Sequence, residues 1–215
     1  MSLIATTLIF CTLLFASQAY ATAVVLSVTV NTSLTFSITT NNFSTITPGT
    51  PVMATSTLNA TTNDVSGWNV TLSGDNKTSS NNNLETAGNA ASVTDQTEWI
   101  AGAATTSVGN AVRIGSFTNS GNVLAYRVMT ASSTNGGPFT ASTWWGTTDA
   151  YAADTATTLY AGISSSTVSR QIGNAGTGSY SASAHINSVQ YYLNVAASQQ
   201  TGAYSAPITY TATGN

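Results

Sequence analysis

Apolar and polar residues alternate along much of this chain with a period of two. From Val24 the even positions read Val24, Leu26, Val28, Val30, Thr32, Leu34, Phe36 and Ile38, while the odd positions from Ser27 to Thr39 carry hydroxyls and one asparagine. An extended backbone points successive side chains to opposite faces, so this run makes one apolar and one hydroxyl face. The alternation continues more weakly through Val52, Ala54, Ser56, Leu58 and Ala60. It returns at Trp68, Val70 and Leu72 and stops at Gly74-Asp75-Asn76, a turn signal. Ala111 to Phe117 and Asn122 to Met129 are two further candidates, joined through Asn119-Ser120-Gly121-Asn122 as a possible hairpin. Tyr180 to Ile186, Val189 to Val195 and Tyr204 to Ala212 supply the last strands. No segment sustains a 3.6-residue apolar period with caps. Asp95-Gln96-Thr97-Glu98 and Trp144 to Tyr151 each read at most as a short helical turn. The class is all-β: an Ig-like or jelly-roll-like sandwich of about eight to ten antiparallel strands.

The first strand is too long for an ordinary domain. Its parity holds from Val24 through Ile38, about 50 Å if fully extended, whereas strands in globular domains usually span about 17–20 Å. Either the segment bends between two sheets near Asn31-Thr32-Ser33, or its front half leaves the domain. In the second case Val24, Leu26, Val28 and Val30 are subunit-interface residues, lying in a groove of a neighbouring copy. Burying four such side chains is worth roughly 6–12 kcal/mol before ordering costs. Main-chain pairing adds specificity, as in donor-strand complementation.

Residues 1–21 read as a signal peptide. Leu3 to Phe15 is a short apolar run, shorter than the ~20 residues of a membrane span, and Ala19-Tyr20-Ala21 fits small-x-small cleavage. Only the n-region departs from the usual pattern, having no positive side chain. The organisation is then a leader over 1–21, an extended N-terminal strand over 22–40 and a single β-sandwich domain over 41–215, extracellular or at the cell surface, with no membrane span in the mature chain. The single cysteine, Cys11, lies in the leader, so the mature chain is expected to fold by burial without disulfides.

Composition narrows the chemistry. Of 215 residues, four are Lys or Arg, seven Asp or Glu and one His; charged residues make up 5%, against roughly 25% in an average domain. Four scattered cations cannot neutralise a run of phosphates, which argues against nucleic acid. A catalytic triad has one available base, His185, which alternation with Ala184 and Ile186 turns away from the core. No Gly-x-Ser-x-Gly turn is present. Metal ligation lacks Cys or His pairs, and Asp75, Asp149 and Asp154 are explained by turns. Glu85, Glu98 and the aspartates show no spacing that singles out a glycosidase pair. The sole lysine, Lys77, sits beside a turn. Five Asn-x-Ser/Thr sequons, at Asn31, Asn42, Asn59, Asn69 and Asn76, are about what the abundant Ser and Thr produce by chance. No enzyme and no cofactor are expected. Trp144-Trp145 is the one feature with a ligand reading, a possible glycan contact, although neighbours on a strand face opposite sides and at least one ring belongs in the core.

Two stretches resemble a known family. Gly67-Trp68-Asn69-Val70-Thr71-Leu72-Ser73 is similar to the first motif of the WxL surface domains. Thr201 to Thr213 resembles their C-terminal strand, and also the last strands of fimbrial and spore-coat-type sandwiches. Val70 stands where that family has leucine and Tyr210 where it has tryptophan. The resemblance implies a secreted β-sandwich at a microbial surface, with wall binding as the family's activity. Independently, a net charge of −3 gives little mutual repulsion and favours self-association. The expected function is a non-enzymatic structural subunit of an extracellular filament or pilus, a homopolymer joined by N-terminal strand exchange. The alternative is a monomeric module binding cell-wall glycan.

Overall fold

In the computed structural model the described residues are 27–39, 43–74, 84–86, 91–100, 109–134, 142–146, 154–165, 168–175 and 184–215. The chain divides into two compact units, Met1–Asn31 and Thr32–Asn215, and the second holds every described strand. These are β1 (Leu34–Ile38), β2 (Val52–Thr62), β3 (Trp68–Gly74), β4 (Leu84–Thr86), β5 (Ser92–Asp95), β6 (Val123–Thr134), β7 (Arg170–Ala175), β8 (His185–Asn194), β9 (Tyr204–Ser205) and β10 (Ile208–Gly214). They form a seven-stranded sheet, β1-β2-β8-β6-β5-β4-β9, and a three-stranded sheet, β10-β3-β7. The two sheets pack together as an all-β sandwich. Pairing is antiparallel except between β5 and β6, where Thr94 and Asp95 run parallel to Val123 and Leu124.

Alternation explains the inner faces. Ala54, Ser56, Leu58, Ala60 and Thr62 of β2 are buried, and the intervening residues are half-buried. Trp68, Val70 and Leu72 of β3 are fully buried across the sandwich. The central strands β6 and β8 behave differently, because both of their faces are covered. Leu124, Tyr126, Val128, Val189, Tyr191 and Leu193 enter the core between the sheets. Val123, Ala125 and Tyr192 face the other way, against Phe117 and Tyr160, whose rings meet Tyr192 edge to face at 5.4 and 6.1 Å. Double burial turns the period-two signal into a nearly continuous apolar run, Val123 to Val128.

The structure departs from the sequence reading in several of its elements. Residues 27–33 carry no strand; the first described strand is Leu34–Ile38, which pairs with Leu58–Thr62 of the sandwich. Ala111 to Phe117 is no hairpin partner of β6. Val112 bridges Tyr160, and Ile114–Ser116 forms a 3-10 turn that delivers Phe117 beneath the sheet. Asp95 to Glu98 is not helical: Asp95 ends β5 and Glu98 bridges Gly162. Tyr204 to Ala212 is two strands in different sheets, broken around Pro207, which has no N–H to donate to a ladder. Ser142–Trp145 forms one helical turn; residues 147–151 of the 144–151 candidate, the 180–183 strand start and the Asn-rich stretch 78–83 lie outside the described residues.

Gly162 marks the tightest backbone approach. A Cβ there would sit 1.7 Å from the Gln96 carbonyl oxygen. Its N–H donates to the Thr97 carbonyl and its own carbonyl accepts from Trp99 N–H, at 2.7 and 2.9 Å. The absence of a side chain lets two strand-like segments lie in contact and seats Trp99 in the core.

Candidate subunit interface

The even-parity run of the N-terminal segment meets two fates. Leu34, Phe36 and Ile38 turn inward on β1 and pack on the core. Val28 and Val30, with the same parity, lie outside any strand and are 87% and 74% exposed. Val24 and Leu26 lie outside the described residues.

β1 and β10 are the outermost strands on one margin of the sandwich, each paired on one side only among the described residues. Thr39 N–H donates to the Thr57 carbonyl at 3.0 Å, and Asn63 N–H donates to the Ser33 carbonyl at 3.3 Å. Backbone polar groups alternate sides along a strand, so odd residues of β1 address β2, and the N–H and C=O of Leu34, Phe36 and Ile38 point to the outer edge. The same parity holds on β10. Asn215 N–H donates to the Gly67 carbonyl at 3.2 Å, in register with Thr213, Thr211 and Thr209 on β3. The backbone groups of Ile208, Tyr210 and Ala212 therefore point outward. Side chains of these six residues face inward yet are only half-buried.

The opposite edge of the small sheet is closed. Trp99 Nε1–H donates to the Gln171 carbonyl at 2.8 Å, and Trp145 Nε1–H donates to the Ile172 carbonyl at 3.3 Å. The two indoles stack with ring centroids 4.3 Å apart, and Trp144 packs edge-on against Trp99 at 5.7 Å. Trp144 and Trp145 are 4% and 0% exposed. The pair weighed as a glycan contact is thus core on both members. Placing them on a helical turn lets neighbouring rings share one side, which a strand forbids.

His185 is also inside, contrary to its expected outward direction. It is 4% exposed, with its ring 5.9 Å from Trp68, because β8 starts with His185 on the inner face opposite Ala60. Asp95 is buried, and its Oδ2 accepts from Ile163 N–H at 2.7 Å. Burial pushes its pKa well above the ordinary carboxylate range, against backbone hydrogen bonds from Ile163 and Gln96 that pull it down. Arg127 is fully buried, donating from Nη2 to the Trp145 carbonyl at 3.1 Å, its guanidinium 5.7 Å from the Tyr160 ring. The Tyr191 and Tyr210 hydroxyls share a hydrogen bond between the two sheets, and burial raises Tyr191 to about 12.

Asp154 sits on a surface loop, bonded to Gly115 N–H at 3.0 Å and 4.0 Å from Arg113. Asp75, Lys77 and Asp149 lie outside the described residues. Among the described residues no group of three or more His, Cys, Asp or Glu is placed to hold a metal, and no helix is long and apolar enough to cross a membrane. Sequence reasoning missed the β10 edge. Its alternation was legible, but a strand's place at the margin of a sheet depends on which strands pair, and pairing leaves no local mark.

Comparison with known proteins finds no matching family model, no matching curated protein and no matching solved structure. The likeness of Gly67–Ser73 and Thr201–Thr213 to the WxL domains rests on those residues alone.

Proposed function

We propose that this chain is a non-enzymatic structural subunit of an extracellular filament or pilus, assembled by exchange of its N-terminal strand between copies. One observation carries the reading. Within a single alternating run, Leu34, Phe36 and Ile38 enter the sandwich while Val28 and Val30 stay 87% and 74% exposed. Exposed valines at strand spacing gain nothing in a monomer and are ready for a partner. With one charged residue in about twenty across the chain, little repulsion opposes close packing of copies. The leader-like residues 1–21 support export to the surface. The glycan-module alternative loses its main support, since Trp144 and Trp145 offer no exposed ring face.

Negative-stain electron microscopy of the exported chain over a range of concentrations tests the proposal. Uniform filaments with an axial repeat of subunit size are expected. A protein that stays dispersed and monomeric at all concentrations overturns the reading.

A further inference from the structure

We propose that the outer edge of β10 is the acceptor for this exchange, taking residues Val24–Val30 of a second copy as a fourth strand of the small sheet. The inference rests on the filament reading above and specifies where the strand docks.

Four observations converge on that edge. Ile208, Tyr210 and Ala212 present their backbone N–H and C=O groups outward, with no partner strand among the described residues. Such an edge is a template for a further strand. Next, the small sheet has three strands facing a sheet of seven. The inner side chains of β1, Leu34, Phe36 and Ile38, lie at the same margin as β10 and are only half-covered. β10 lies against β1 at this margin, so a strand added to β10 sits beside these half-covered side chains. Third, the other edge of the small sheet, β7, is occupied by the indole N–H groups of Trp99 and Trp145, which leaves β10 as the open side.

Last, the occupant matches the site. Val24–Val30 spans seven residues, the same length as Ile208–Gly214, or about 23 Å in extended form. It places Val24, Leu26, Val28 and Val30 on one face and carries no charge, and neither do β1 and β10. Nothing charged is desolvated on docking, and main-chain bonds with apolar packing are the only forces required. On the other face Ser27 and Thr29, with Val25 at its start, continue the hydroxyl surface that Thr209, Thr211 and Thr213 present outside.

Residue-resolved hydrogen exchange on the full exported chain, dispersed and assembled, tests the acceptor. The Ile208, Tyr210 and Ala212 amides are expected to slow by more than about tenfold on assembly, and the Val24–Val30 segment with them. Filaments in which the Leu34, Phe36 and Ile38 amides slow and the β10 amides do not would overturn the β10 assignment and leave strand exchange standing. Filaments protected at neither edge would overturn strand exchange itself. Protection of β10 already complete in dispersed monomer would show that the segment folds back on its own chain, which also overturns the proposal.

Ala212→Pro supplies a second readout. The Ala212 N–H faces outward and makes no bond to β3, so proline there removes a donor for the incoming strand and spares the β10–β3 ladder. The variant is expected to keep native tryptophan fluorescence and lose assembly at least tenfold in critical concentration. Unchanged assembly by a folded variant overturns the proposal, and where the variant does not fold the exchange experiment on the unsubstituted chain decides.

Discussion

β7 and β10 are the two margins of one small sheet, and they are finished in opposite ways. At β7, Trp99 and Trp145 cover the strand and donate to the Gln171 and Ile172 carbonyls. At β10, three outward N–H and C=O pairs and a half-buried apolar face remain open among the described residues. A free sheet edge invites pairing with other chains, and proteins usually blunt it with charge, proline, a bulge or a covering element. Here β7 has its cover. β10 has no charge and an unbroken alternation, with Pro207 just before it and not within it. The covered margin contributes stability, and the open one is where the proposal above places association.

Truncating the closed margin is expected to have the largest effect. Trp145 is fully buried against Trp99 and Tyr126, with ring centroids 4.3 and 5.2 Å away. Trp145→Ala should cost about 3–5 kcal/mol in urea unfolding, since the cavity sits among rings that cannot collapse into it. A loss under 1 kcal/mol would mean that the β7 margin does not depend on this cover.

At the open margin the same operation is expected to cost less. Phe36 is half-buried on β1, and Phe36→Ala should cost about 1.5–2.5 kcal/mol in the monomer, half the value for a fully buried phenylalanine. Measured again in the assembled state the cost should rise toward the buried value, because the docked strand completes its cover. Equal costs in both states would show that nothing covers Phe36 on assembly.

A smaller contrast comes from pH. Burial holds the native Asp95 pKa above the ordinary value, which is about 3.9 in an unfolded chain. From about pH 4 upward the folded chain therefore binds more protons at this site than the unfolded chain, and stability falls as pH rises through that window. Asp95→Asn keeps an oxygen for the Ile163 N–H and removes the titration, so the decline in melting temperature between pH 4 and 7 should flatten. An unchanged slope would show that Asp95 does not contribute to it.

The least effect on stability should accompany the greatest on association. Val28→Asp with Val30→Asp alters two residues exposed at 87% and 74%, so the monomer should change by no more than about 0.5 kcal/mol while filament formation is lost. Filaments from the double variant, seen by electron microscopy, would remove the N-terminal segment from the interface.

The pattern of alternation determined much of this protein before any pairing was known: the all-β class and the inward residues of β2, β3, β8 and β10. These are local consequences of an extended backbone, which sends alternate side chains to opposite faces wherever the strand lies. It misled where local pattern and tertiary place diverge. His185 alternates with Ala184 and Ile186 yet is buried against Trp68. Trp144 and Trp145 are sequence neighbours that share the core because a helical turn carries them. Asp95 reads as a helix start and instead bonds Ile163 across the chain. Only the tertiary structure decided which strands neighbour which, and with that which edges are covered. Pairing is set by the whole arrangement of strands competing for the same partners, and no single segment encodes whether its outer hydrogen bonds will be met.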